Sequence, residues 1–122
     1  MSNACACSAA PTLIFSCSGG ADVGEIADQS ARLLTRQGTG KMFCLAGIGG
    51  RVSGIVKSTE AADRILVIDG CPLNCARKTL EEAGITHYSH LQLDEIGLKK
   101  GASEPSAQNI KLAADRAAEI LK

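Results

Sequence analysis

From Thr12 onward the apolar residues of the chain fall into short runs separated by glycines and by longer amphipathic stretches. Thr12 to Ser16 is an apolar run of strand length. It is followed by Gly19-Gly20 and by Asp22 with Glu25 three residues on, the spacing of a helix capping box. Val23, Ile26, Ala27, Ser30 and Leu34 then recur at helical intervals, and Gly38 stands where a helix-ending glycine belongs. The pattern predicts a strand, a glycine turn and a helix.

The same phrase returns along the chain. Lys41 to Ala46 predicts a second strand, Gly47-Ile48-Gly49-Gly50 a turn, and Val52, Ile55, Val56 and Thr59 one face of a short helix. Arg64 to Asp69 predicts a third strand, whose nearly unbroken Ile65-Leu66-Val67-Ile68 suits burial on both faces. Its helix opens at Pro72, a residue favoured in a first turn, carries Leu73, Ala76, Leu80 and Ala83 on one side, and stops at Gly84. Tyr88 to Leu93 predicts a fourth strand. A last helix starts at Glu104-Pro105 with Ile110, Ala113, Ala114, Ala117, Ala118 and Leu121 on its buried stripe.

Strands alternating with helices predict an α/β fold, a three-layer α/β/α sandwich around a four-stranded parallel sheet. The flavodoxin-like order 2-1-3-4 is expected, with any ligand site beyond the carboxyl ends of the strands, where the winding reverses between strands one and three. Residues 1–11, rich in Ser, Ala and Cys and closed by Pro11, read as a flexible leader before a single domain over residues 12–122.

Composition narrows the function. The 122 residues are 45% hydrophobic and 21% charged, and 13 basic side chains balance 13 acidic ones, so there is no electrostatic footprint for nucleic acid. The aromatics are Phe15, Phe43 and Tyr88, which provide no platform for stacking bases. No stretch approaches the roughly 20 apolar residues needed to cross a bilayer, and the N-terminus lacks the charged start of a secretory signal. A cytoplasmic protein without a membrane or nucleic-acid partner is therefore expected. In a reducing compartment six cysteines read as metal ligands or redox groups rather than disulfides.

Four of the six fall at one sheet edge. Cys17 ends strand one, Cys44 lies near the end of strand two, and Cys71 and Cys75 follow strand three. Neighbouring strands run about 4.8 Å apart, so their ends bring following residues within reach of one ion. Four thiolates suit tetrahedral Zn²⁺ at Zn–S distances of about 2.3 Å. Such a centre needs positive surroundings, which helix N-termini and Arg51, Arg77 and Lys78 could supply. Two other readings use the same thiols: a thiol oxidoreductase or sulfur carrier working through Cys71 and Cys75, and an iron-sulfur protein. The three residues between Cys71 and Cys75 differ from the CxxC of thioredoxin-like motifs, and the ferredoxin spacing is absent.

Three segments carry a resemblance. Cys17-Ser18-Gly19-Gly20-Ala21-Asp22-Val23-Gly24, Lys41-Met42-Phe43-Cys44-Leu45-Ala46-Gly47-Ile48-Gly49 and Asp69-Gly70-Cys71-Pro72-Leu73-Asn74-Cys75-Ala76 resemble the motifs of the DGC-domain family. That family comprises small prokaryotic proteins described as zinc-binding, with four characteristic cysteines. The resemblance spans about residues 12 to 100 and implies Cys17, Cys44, Cys71 and Cys75 as the ligands. It implies no reaction, and it does not extend to Cys5 or Cys7.

The remaining polar residues carry plainer expectations. Cys5 and Cys7 sit on the leader, as part of a tail or as a lid over the metal site. Gly19-Gly20 and Gly47 to Gly50 match neither a dinucleotide-binding nor a Walker motif and read as tight turns around a metal. Asp69, ending a buried strand, is expected to accept from loop amides. His87, at the amino end of strand four, and His90, within it, are expected to be ordinary residues, and Lys99 and Lys100 to lie in an exposed loop on the cysteine edge.

Overall fold

The computed structural model describes residues 11–122. The leader expected at residues 1–11, with Cys5 and Cys7, lies outside the described residues apart from Pro11. The elements run β1 (Thr12–Ser16), α1 (Asp22–Arg36), β2 (Lys41–Met42), α2 (Leu45–Gly49), α3 (Ser53–Glu60), β3 (Arg64–Asp69), α4 (Cys75–Glu82) and β4 (Ser89–Gln92). A 3₁₀ turn (Leu93–Ile96) and α5 (Ala107–Ile120) complete the chain. The sheet order is β2-β1-β3-β4 with every pairing parallel, which is the expected 2-1-3-4.

The layers follow from the alternation of side chains along the strands. Ile14, Leu66, Ile68 and Leu91 turn to one face, where they pack against Val23, Ile26, Ala27, Ala31 and Leu34 of α1 and Ala113, Ala114 and Ala117 of α5. Leu13, Phe15, Ile65 and Val67 turn to the other, against Ile48 of α2 and Ala76 and Leu80 of α4, with Ile55 and Val56 of α3 partly buried beside them. β1 and β3 are thus apolar on both sides because both sides are covered. They are also the two strands at the winding switch, so the chain leaving their carboxyl ends meets at the position expected for a ligand site.

Five local expectations are corrected. β2 is two residues long rather than spanning Lys41 to Ala46. As an edge strand it pairs only with β1, and after Phe43 N donates to Ile14 O (2.9 Å) the Cys44 side chain accepts from Gly47 N, turning the chain into α2 where a glycine turn was expected. α1 has no capping box: Ala21 is its N-cap, and Asp22 lies inside the first turn. The helix expected to open at Pro72 starts at Cys75, and Leu73 is 58% exposed. Strand four ends at Gln92, with Leu93 already in the 3₁₀ turn. Among the described residues, no helix is long and apolar enough to cross a membrane.

Candidate functional site, a thiol-lined cleft at the switch point

The loops after β1 and β3 face each other across a cleft of about 360 Å³. Its walls include Cys17 to Gly20 from the first loop, Gly70, Cys71, Leu73 and Cys75 from the second, and Leu45 and Lys100. Two glycines make this closeness possible. A Cβ on Gly70 would lie 2.8 Å from the Val23 carbonyl carbon and oxygen, so the second loop packs backbone to backbone on the first turn of α1, and one on Gly24 would lie 2.7 Å from Gly19 O, so the first loop folds back closely on the same helix. Gly19 and Gly20, expected to form the tight turn, have no atom within 4 Å of such a Cβ.

Cys17 is half-buried and accepts a hydrogen bond from Gly70 N at 3.1 Å, which ties the first loop to the second. Burial pushes its thiol up from the ordinary 9.0 to about 11; the Gly70 amide opposes this, while Asp69, Cys71 and Cys75 add to it. Cys71 is half-buried, and Cys75, the first residue of α4, is exposed. Three of the four expected thiols therefore line one cleft.

Cys44 sits elsewhere. It is exposed and accepts from Gly47 N at 3.3 Å, and it lines an adjoining groove with Ser16, Asp28, Arg32, Met42 and Phe43. Ser18 and Leu45 belong to both hollows and form the wall between them. Phe43 fixes this region by an edge-to-face contact on Phe15, with ring centroids 6.1 Å apart. Among the described residues, no three His, Cys, Asp or Glu side chains are drawn together as a ready-made metal cluster.

The thiol loop is pinned at both ends. Asp69, 1% exposed, accepts from Ala76 N (2.8 Å) and Arg77 N (3.1 Å), so the residue that ends β3 caps α4 across the loop and makes it begin at Cys75. This is the role of amide acceptor expected for Asp69. His90 Nε2 lies 2.9 Å from Asp69 Oδ2; a carboxylate accepts, so the ring carries its hydrogen on Nε2. Asn74, buried and in the left-handed region at φ 53°, offers Oδ1 to Gln92 Nε2 at 2.9 Å. His90 is thus not the ordinary residue expected, and Gln92 belongs to no motif of the sequence. Both are half-buried polar positions two apart in one strand, and the buried Asp69 and Asn74 must find partners, which is the signal that could have found them.

The other basic residues divide. Lys100 lines the cleft, on a loop that Asp22 holds by accepting from Gly101 N (3.0 and 2.9 Å to its two oxygens) and Ser103 N (3.2 Å). Those amides hold the Asp22 carboxyl below its ordinary value. Lys99 pairs with Asp94, and Arg51 is spent on the carbonyls of Ile48, Gly49 and Glu82. His87 lines a separate hollow with Asp63 and Arg64 at the amino edge, as expected from its place before β4.

Fold and cleft together define a doubly wound α/β protein with a thiol-lined site at its switch point. The chain belongs to the DGC-domain family, whose model matches residues 13–117. It is 38% identical over 92 residues to a Pseudomonas aeruginosa protein named anaerobic and virulence modulator AnvM, an alignment covering 75% of this chain and 70% of that one. No solved structure matches the chain.

Proposed function

We propose that the protein binds one Zn²⁺ through Cys17, Cys71 and Cys75, with Cys44 as the fourth ligand. The observation that supports this reading best is the shared cleft: three soft donors from both sides of the winding switch line one wall-to-wall hollow. The donor chemistry fits. Thiolates select zinc over hard cations, and a bound cation would relieve the burial and mutual repulsion that push the Cys17 thiol up. Lys100 and the start of α4 at Cys75 supply positive potential around an anionic thiolate centre. Cys44 would join by exchanging its contact with Gly47 N for the metal. Bound zinc would supply a Lewis acid and hold the thiols as thiolates.

A second reading rests on the exposure of Cys75 at the first position of α4, beside Cys71: thiol exchange or sulfur transfer through this pair without a metal. A cytoplasmic setting, where thiols stay reduced, is part of the proposal.

Elemental analysis of protein purified without oxygen tests the reading. About one zinc per chain is expected, and Ser at Cys17, Cys71 or Cys75 should lower retention by orders of magnitude, because a hydroxyl poorly replaces a thiolate. Cys44→Ser should lower it as well, and the double change Cys5→Ser and Cys7→Ser should leave it nearly intact. Metal-free protein whose Cys71 and Cys75 alkylate rapidly would move the assignment to thiol chemistry. Stoichiometric iron with charge-transfer absorption would move it to a cluster.

A further inference from the structure

Resting on the thiol site just proposed, we infer that His90 and Gln92 of β4 are positioning residues, which set the geometry of the Cys71–Cys75 loop without ligating metal themselves. Register places them. His90 pairs with Val67 and Gln92 with Asp69, so both side chains share the sheet face that α4 covers. Each reaches one end of the loop. His90 holds Asp69, the residue before it, and Gln92 holds Asn74, its last residue before Cys75.

Between these two anchors lie the groups that matter to the thiols. The Gly70 amide grips Cys17 Sγ, Cys71 follows it, and the turn closes with Asn74 N donating to Cys71 O at 3.1 Å. Asp69 in turn fixes the Ala76 and Arg77 amides, and through them the direction in which Cys75 leaves the loop. Asn74 is held in a left-handed conformation that most residues adopt at a cost, so its side-chain contact with Gln92 secures a backbone state as well as a position. Stability alone does not require this arrangement. Replacing both members of such a pair by apolar groups is often neutral, whereas replacing His90 or Gln92 alone leaves an oxygen of buried Asp69 or Asn74 without that partner and lowers stability. What apolar residues cannot supply is the directional hold on Asp69 and Asn74, and ligand geometry is sensitive to such outer partners.

The experiment uses the full chain, reduced and stripped with chelator, with Zn²⁺ itself as the probe in competition with a chromophoric chelator. A second readout is bromobimane alkylation of Cys71 and Cys75 in the metal-free protein, with Cys44 of the same chain as internal reference. His90→Leu and Gln92→Leu should each weaken Zn²⁺ binding by about 10- to 100-fold, the usual cost of losing an outer-sphere partner. Both should change the alkylation ratio while a cooperative melt is retained. His90→Gln, which keeps a donor near the Nε2 position, should recover most of the loss. Asn74→Gly keeps the left-handed backbone, removes the acceptor for Gln92, and should match Gln92→Leu in both readouts. Leu variants that bind Zn²⁺ within about threefold of wild type would overturn the assignment, as would a His90→Gln protein no better than His90→Leu. If wild type takes up no Zn²⁺, the zinc reading falls by itself and the positioning roles are judged on alkylation alone, where Leu variants with unchanged ratios overturn them.

Discussion

Gly70→Ala is the sharpest test of how the cleft is built. An ideal Cβ at this position would stand 2.8 Å from the carbonyl carbon and oxygen of Val23 and 2.9 Å from its Cγ2, where ordinary contacts begin at 3.4 Å. The obstacle is backbone in the first turn of α1, which cannot rotate away as a flexible side chain would. Either the end of β3 or the start of α1 must therefore shift by more than half an ångström, by the difference of those distances. Overpacking of this kind costs about 1–3 kcal/mol, and for a chain of this length each kcal/mol lowers the melting temperature by roughly 3–6 °C. Thermal melting followed by circular dichroism, in chelator and reductant, should show a fall of roughly 3–18 °C on that scale. The same shift separates Gly70 N from Cys17 Sγ and moves Cys71, so zinc affinity should fall as well. Gly20→Ala is the control: its Cβ meets nothing within 4 Å, so its effect should stay within about 0.5 kcal/mol. A Gly70→Ala protein that melts with wild type, or a Gly20→Ala protein equally damaged, would refute the backbone-to-backbone account of the cleft.

Two further outcomes follow from the same structure. The metal-free protein should lose stability as pH rises from 9 to about 11, because the Cys17 thiol, raised to about 11 in the fold, ionises earlier in the unfolded chain. The contribution is fully present below pH 9, and melting of wild type against Cys17→Ala across this window measures it; parallel curves would remove the role given to burial. Removal of zinc should lower the melting temperature yet leave a cooperative transition, since the fully buried Phe15, Ile14, Leu66, Ile68 and Leu80 belong to apolar clusters that supply most of the stability. Loss of the cooperative melt on chelation would make the metal a structural staple.

Much of the architecture is local information and could be read in order. Val23, Ile26, Ala27, Ser30 and Leu34 recur at helical spacing and are all buried in α1, because a helix commits every third or fourth residue to one face whatever it packs against. The unbroken apolar run of β3 announced burial on both faces, and the alternation of strands with helices was enough for a parallel sheet, while the order 2-1-3-4 was one expected arrangement that only the pairing of the strands decided. Membership of the DGC-domain family was legible in the same segments.

What escaped depends on hydrogen bonds and sheet register that periodicity does not encode. The run Lys41 to Ala46 has the composition of a strand, yet an edge position and the Cys44 contact with Gly47 N end β2 after Met42 and turn Cys44 into the adjoining groove. Pro72 has the composition of a helix start, but Asp69, three residues before it, accepts from the amides of Ala76 and Arg77, and α4 begins where that carboxylate reaches it. His90 and Gln92 carry no motif; only the register of β4 against β3 puts them beneath the thiol loop. The sequence by itself determined the thiols and the ends of β1 and β3, which Cys17 and Cys71 follow, because those ends are set by local periodicity. Tertiary structure alone decided which thiols share a cleft and what holds them there, because hydrogen bonds between distant segments leave no periodic trace in the chain.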